Sequence, residues 1–365
     1  MSSIMFRQVK LETTDPVKKQ LTGIAVSILA ILILNAVFAA GGWLADLYFH
    51  RWYHFISTVL RKLLGKIPFS IGDVIYSVWI IISVVFLLRM LYSLVRGRWS
   101  ELLLLSLKGV KSVLVLYFIF LLFWGGHYRR HTYVKEMGFG VEKYTTADLY
   151  LLADTLVQLT NRDKLALPAQ PDSLPGITFK TAAGCYADAA RTWPSLTYTP
   201  PSLKPALFGE YLNYIGVTGY LNPFTNEAQV NTTVPAFLQP FTTCHEIAHQ
   251  LGFAPEEDAN FVGYITASRS PDPRFRYAAN FEMLSYTIRQ LARRNGYLAR
   301  LVWSRTLPAI REDTRAVILF YREYEGPMDD YSAVLYDQYL KANRQEQGIR
   351  SYSEVVGWLM AYYKL

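Results

Sequence analysis

At 365 residues the chain is long enough for two or three folding units, and at 52% hydrophobic against 18% charged it is more apolar than one soluble domain requires. The formal charge of +8 is scattered rather than gathered into a run, and no zinc-finger, helix-turn-helix or RNA-binding signature accompanies it, so no nucleic-acid partner is expected. Two cysteines, Cys185 and Cys244, are too few for a disulfide framework; buried thiols are favoured over a single bridge.

Residues 1–20 form a polar tail carrying Arg7, Lys10, Lys18 and Lys19. From Gln20 to Ala45 there is no charged residue, and the strongly apolar run from Ile24 to Leu34 lies inside it, long enough to cross a bilayer core as a helix. A signal peptide fits less well, because the run is too long and two more spans follow. The second span is predicted from about Ile71 to Val95. The third lies between about Leu102 and Gly126, with Lys108 and Lys111 placed to snorkel at its start. Trp43, Tyr92, Trp124 and Tyr128 suit an interfacial belt, and residues 47–66 suit an amphipathic helix on the membrane surface.

Three spans put the chain ends on opposite sides. The tail, together with Arg89, Arg96, Arg98, Lys108 and Lys111, outweighs Arg51, Arg61, Lys62 and Lys66 of the first loop, which predicts a cytoplasmic N-terminus. The expected organisation is therefore a tail (1–20), a membrane domain (21–126) and an extracytoplasmic domain (127–365) of a multi-pass cell-membrane protein. The lipid bilayer is one expected partner.

From His127 onward the pattern is that of a globular, mostly helical domain. Residues 146–161 show helical periodicity with Leu149, Leu151, Leu152, Leu156 and Leu159 as the apolar face. Residues 164–206, rich in Pro, Ser, Thr and Gly, predict mainly loop with short strands, and 211–234 a twisted hairpin. Helices are then predicted over 240–251, 255–268, 278–295, 297–305, 312–324, 328–343 and 351–363.

Within the first of these stands His245-Glu246-Ile247-Ala248-His249. Histidines four apart on a helix share a face one turn from each other, and a glutamate after the first reaches a water on the same metal, so HExxH is a zinc-hydrolase signature. Thr242 and Thr243 offer caps and Gly252 a stop with positive φ; Pro255 suits the first turn of a new helix. A catalytic zinc takes three protein ligands and keeps one position open. His245 and His249 supply two, and Glu256 is favoured over Glu257 for the third. Asn260, one turn after Glu256, is placed to hold a ligand histidine from the outer shell.

The ExxxN pattern after HExxH resembles the gluzincin arrangement, in which a Glu ligand is followed one turn later by Asp or Asn. Pro255, standing where metzincins place a third histidine, excludes that family. More closely, the chain resembles the bacterial membrane family called domain of unknown function 3810, from the spans to the C-terminus. The residues that carry the resemblance are Gly219 through Ala228 and His245 through Phe261, with Tyr336-Asp337-Gln338-Tyr339-Leu340-Lys341 as a weaker piece. The resemblance implies a metallopeptidase of no settled substrate.

The expected fold class is α+β, mostly α: three N-terminal transmembrane helices followed by a gluzincin-like zinc metallopeptidase domain. The expected activity is hydrolysis of a peptide or protein substrate, with Zn2+ held by His245, His249 and Glu256 and with Glu246 as general base. Tyr220 and Tyr336 are the candidate oxyanion donors, and the hairpin offers an edge strand to an extended peptide. An intramembrane protease is disfavoured, because His245–Asn260 contains four acidic residues and lies over a hundred residues past the last span. The alternative is a catalytically silent zinc-binding membrane sensor or scaffold.

Overall fold

The computed structural model describes residues 15–130, 133–140, 143–168, 175–326, 338 and 354–365. The apolar N-terminal third folds into α1 (Asp15–Ala40), α2 (Trp43–Leu47), a π-helical turn Tyr48–Trp52, α3 (Tyr53–Leu64), α4 (Ile71–Val95) and α5 (Trp99–Phe123). Helices α1, α4 and α5 are each long and apolar enough to cross a membrane. They satisfy their own backbone groups, as a chain in hydrocarbon must. α5 packs against both α1 and α4.

α3 is amphipathic with an unusual assignment of faces. Tyr53, Ser57 and Arg61, four residues apart, are buried against the C-terminal half. The Tyr53 hydroxyl donates to the Gln250 carbonyl at 2.8 Å, Ser57 Oγ to Asn226 Oδ1 at 2.9 Å, and Arg61 Nη1 to the Pro200 carbonyl at 3.2 Å. The side left outward carries Phe55 and Leu63, 61% and 66% exposed. The polar stripe thus faces protein, and Phe55 and Leu63 face out beside the exposed His54 and Lys62.

After a 3-10 turn (Gly125–Arg129) come α6 (Tyr133–Glu136), α7 (Thr146–Leu165), α8 (Pro175–Ala189), β1 (Leu203–Pro205), α9 (Gly209–Asn213), β2 (Gly219–Asn222) and β3 (Glu227–Val230). They are followed by α10 (Gln239–Gln250), α11 (Glu256–Ala267), α12 (Pro273–Arg294), α13 (Gly296–Trp303), α14 (Pro308–Tyr324) and α15 (Glu354–Tyr363). Among the described residues the protein is mostly helical, with one small mixed sheet. The expected helix 328–343 lies outside the described residues except for Gln338.

α7 starts on a capping box in which Thr145 and Asp148 bond each other's backbone N–H. Its buried face is Leu149, Leu152, Ala153, Leu156 and Val157. Leu151, expected on that face, is 50% exposed, because it falls two residues off the helical stripe. Each fully buried leucine contributes roughly 1.5–3 kcal/mol. Near the helix end the fully buried Asp163 accepts from Arg276 Nε at 2.9 Å and Asn280 Nδ2 at 2.8 Å, which fastens α7 to α12. Arg162 also donates to this carboxylate, at 3.1 and 3.0 Å, so the buried charge is fully paired, and the cross-helix bonds fix register more than they add stability.

α8 corrects the sequence expectation of loop over 164–206. Proline is tolerated in the first turn of a helix, and Ala182, Cys185, Tyr186 and Ala189 then recur at helical spacing, buried beneath α10 and α11. The Tyr186 hydroxyl donates to the Cys244 carbonyl at 2.6 Å. The expected hairpin is present as β2 and β3, which pair antiparallel with Leu221 opposite Ala228; β1 joins parallel on the far side of β3. β2 is therefore an edge strand.

Candidate metal centre

α10 is buried along nearly its whole length between α8, β3, α11 and α12. It begins with Pro240 in its first turn rather than with a hydroxyl cap. Thr242 and Thr243 instead donate to the carbonyls of Leu238 and Gln239, one turn back, at 3.3 and 2.7 Å. It stops as expected at Gly252, whose φ of 95° is the left-handed conformation that favours glycine. Pro255 takes the N-cap position, and α11 opens on Glu256.

This reversal turns Glu256 back onto both histidines. Its carboxylate oxygens lie 3.3 Å from His245 Nε2 and 3.7 Å from His249 Nε2, and one ligand atom from each of the three residues falls within 4.8 Å of the others. Ligands about 2.0–2.1 Å from a tetrahedral ion stand about 3.3 Å apart, so the cluster has the dimensions of a zinc site. Glu257 lies buried in the same first turn but outside that cluster, because its side chain leaves the helix 100° round from Glu256.

The outer contacts differ from expectation. His249 Nδ1 lies 2.7 Å from the Phe253 carbonyl, the partner of an Nδ1–H, which leaves Nε2 as the ligating nitrogen. Asn260 does not fill that role. Its Nδ2 and the Nδ1 of His245 are both buried without a partner, and the Nδ1 of His249 is taken by the Phe253 carbonyl.

The electrostatics favour a cation. Burial alone would push the Glu256 carboxyl up, but the hydrogen bonds and charges of His245 and His249 hold it well below the usual carboxylate range. Burial pulls His249 down, and Glu256, Glu246 and the Phe253 carbonyl outweigh it, so the imidazolium persists to about 9. A proton thus occupies the place in the charge balance that a metal ion would take.

Glu246 is 2% exposed, and its Oε2 has no hydrogen-bond partner. Burial and nearby Glu256 raise its pKa to about 7 against the pull of the two histidines. A Cβ on Gly219 would sit 2.7 Å from Glu246 Oε1, so only glycine lets the edge strand β2 approach this carboxylate so closely. Neighbouring Tyr220 commits its hydroxyl to the Asp73 carboxylate in α4, which takes it out of use as an oxyanion donor. Tyr336 lies outside the described residues.

Sequence reasoning missed the residues that hold the end of α10. Tyr53 donates to the Gln250 carbonyl, one that the helix end leaves open, and Trp124 Nε1 donates at 3.1 Å to the His249 carbonyl, which also accepts from Gly252 N. Both donors come from the N-terminal third, and no local pattern announces so distant a contact. Cys185 and Cys244 are buried free thiols turned toward each other, away from the metal cluster.

A cleft of about 870 Å³ opens from His245, Glu256 and Asn260 and runs between α12, α13 and α14. Its walls are largely apolar, with Phe241, Phe281, Ile288, Trp303 and Val317 among them. That size and lining suit an organic group of several carbons.

Neither the curated proteins nor the solved structures contain a match to this chain. One family model, described as "Protein of unknown function (DUF3810)", matches residues 48–360, a range that takes in α3, α4 and α5 as well as the metal centre. The chain belongs to the DUF3810 family.

Proposed function

We propose that the chain is a membrane-anchored, zinc-dependent metallohydrolase that cleaves peptide bonds. The observation that carries this is the meeting of His245, His249 and Glu256 at ligand distances beside a buried, unpaired Glu246 carboxylate. Two imidazoles and a carboxylate are a hydrolytic zinc donor set, and a structural site would more often be closed by a fourth residue. When bound, the ion supplies a Lewis acid and an acidified water.

The chain's own groups do the rest. Glu246 Oε2 takes the proton from the attacking water and returns it to the leaving amine. β2, the edge strand of the sheet among the described residues, has no side chain at Gly219, lies beside Glu246 and offers backbone groups to an extended substrate. The cleft takes an apolar side chain next to the scissile bond. HExxH on α10 and Glu256 at the start of α11 support a gluzincin-like reading of the site. The rival, a silent zinc-binding sensor or scaffold, gives no reason to keep an unpaired carboxylate buried beside the ligands, at a cost of about 1–3 kcal/mol or more.

The test is metal analysis of the purified full chain, followed by incubation with a broad peptide library. One zinc per chain and cleavage that stops on chelation are expected. Zinc-loaded protein that cleaves nothing favours the sensor, and no bound zinc rejects both readings.

The catalytic domain is proposed to face the extracytoplasmic side, on the basic-residue bias of the tail and second loop. A reporter that matures only in an oxidising compartment, fused after residue 140, is expected to be active. Activity of a cytoplasm-only reporter at that junction reverses the orientation.

A further inference from the structure

Exposure along α4 becomes general from Ile80 onward. Ile80, Ile81, Ile82, Val85, Leu87 and Leu88 are 58–64% exposed, as side chains facing lipid would be. One side of the two turns before Ile80 is held by the C-terminal half, while Val74 and Val78 on the other side are 40% and 46% exposed. Gly72 N donates to Glu227 Oε2 at 2.7 Å, and Asp73 accepts from Leu207 N at 2.8 Å. Trp79 meets Phe224, in the β2–β3 turn, edge-on at 4.9 Å.

This one-sided contact reaches too far down the helix to stand clear of the bilayer. The bare stretch Ile80–Val95 rises only about 24 Å, and tilt would shorten it further. A hydrocarbon core is about 30 Å thick. Arg96 and Arg98 mark the far interface. Counting a core thickness back from Arg96 reaches about the level of Tyr76, between Asp73 and Trp79. Phe224 then lies at the hydrocarbon edge and Leu207 in the headgroup layer.

Leu207 opens an exposed apolar segment at the surface, of which Tyr214 meets Tyr324 of α14 edge-on at 5.0 Å. Leu207, Phe208, Tyr211 and Tyr214 are 47%, 44%, 74% and 46% exposed. Between Lys204 and Glu227 the only charged residue is Glu210. Aromatic side chains with a polar tip are favoured where water gives way to lipid.

We propose that Leu207–Tyr214, together with the turn carrying Phe224, is a lipid-facing seat that inserts into the interfacial layer of the leaflet where α4 begins. The seat fixes the height of the C-terminal domain on the bilayer and does not depend on the metal or on catalysis. It adds to the outward face of α3 a contact made by the C-terminal domain itself.

The test uses the full chain with Tyr211→Cys or, separately, Phe208→Cys, labelled with a nitrobenzoxadiazole fluorophore and reconstituted in phosphatidylcholine nanodiscs. Cys185 and Cys244 are buried, so the dye goes to the new thiol. A label at Leu88→Cys gives the lipid reference. Blue-shifted emission, quenching by phosphatidylcholine spin-labelled near the headgroup, and poor quenching by iodide are expected at both seat positions. Iodide quenching like that of free dye, without lipid quenching, overturns the proposal. So does protection from both quenchers, which would mean that a second copy or another protein covers the segment. Two separate label sites keep the result decisive if one substitution prevents folding.

Discussion

Glu246→Gln is expected to leave one zinc per chain and lower turnover about 10²–10⁴-fold, equivalent to roughly 3–5 kcal/mol in the barrier. The amide keeps the size of the side chain and its approach to Gly219, while the unpaired Oε2 that would receive the water's proton is lost. The wild type should also lose activity in acid, since a general base must be deprotonated to act. Burial sets the Glu246 midpoint at about 7 in the metal-free chain, and a bound dication lowers it, so the acid limb should fall below pH 7. Single-turnover rates across pH, on any peptide the library yields, check both points. Equal rates for wild type and the Gln variant would remove Glu246 as the base.

The second large effect concerns the ligands. His249→Ala or Glu256→Ala is expected to abolish stoichiometric zinc, weakening affinity more than about 100-fold, the upper range for losing only an outer-shell partner. Glu257→Ala should keep the metal, because its carboxylate lies outside the cluster. Affinity in the wild type should rise with pH toward about 9, since His249 must surrender the proton that Glu256 and its other neighbours stabilise. Metal titration with circular dichroism to confirm folding provides the measurement. Loss of zinc in Glu257→Ala with retention in Glu256→Ala would reverse the assignment.

Much of the protein follows from local pattern. Uninterrupted apolar runs specify α1, α4 and α5, because any long apolar segment in lipid must pair its own backbone groups. Periodicity specifies α7 and the series from α10 to α14, and the glycine stop with Pro255 specifies the reversal between α10 and α11. The four-residue spacing of His245 and His249 sets them on one face of a helix whatever surrounds it.

Only the tertiary structure decided which carboxylate faces both imidazoles, since Glu256 and Glu257 are equally acidic neighbours and differ in the direction each takes from the helix. It also made α8 a helix where proline and glycine predict loop, because burial under α10 outweighs weak local preference. The same packing gave the polar stripe of α3 to the protein rather than to water. It took the Tyr220 hydroxyl for Asp73, and brought Trp124 and Tyr53 to the C-terminal carbonyls of α10. The sequence by itself determines helices, turns and the two-histidine motif, because these depend on spacing within a few residues. Partners more than a hundred residues apart are chosen by the packing of whole elements, which no short stretch of sequence contains.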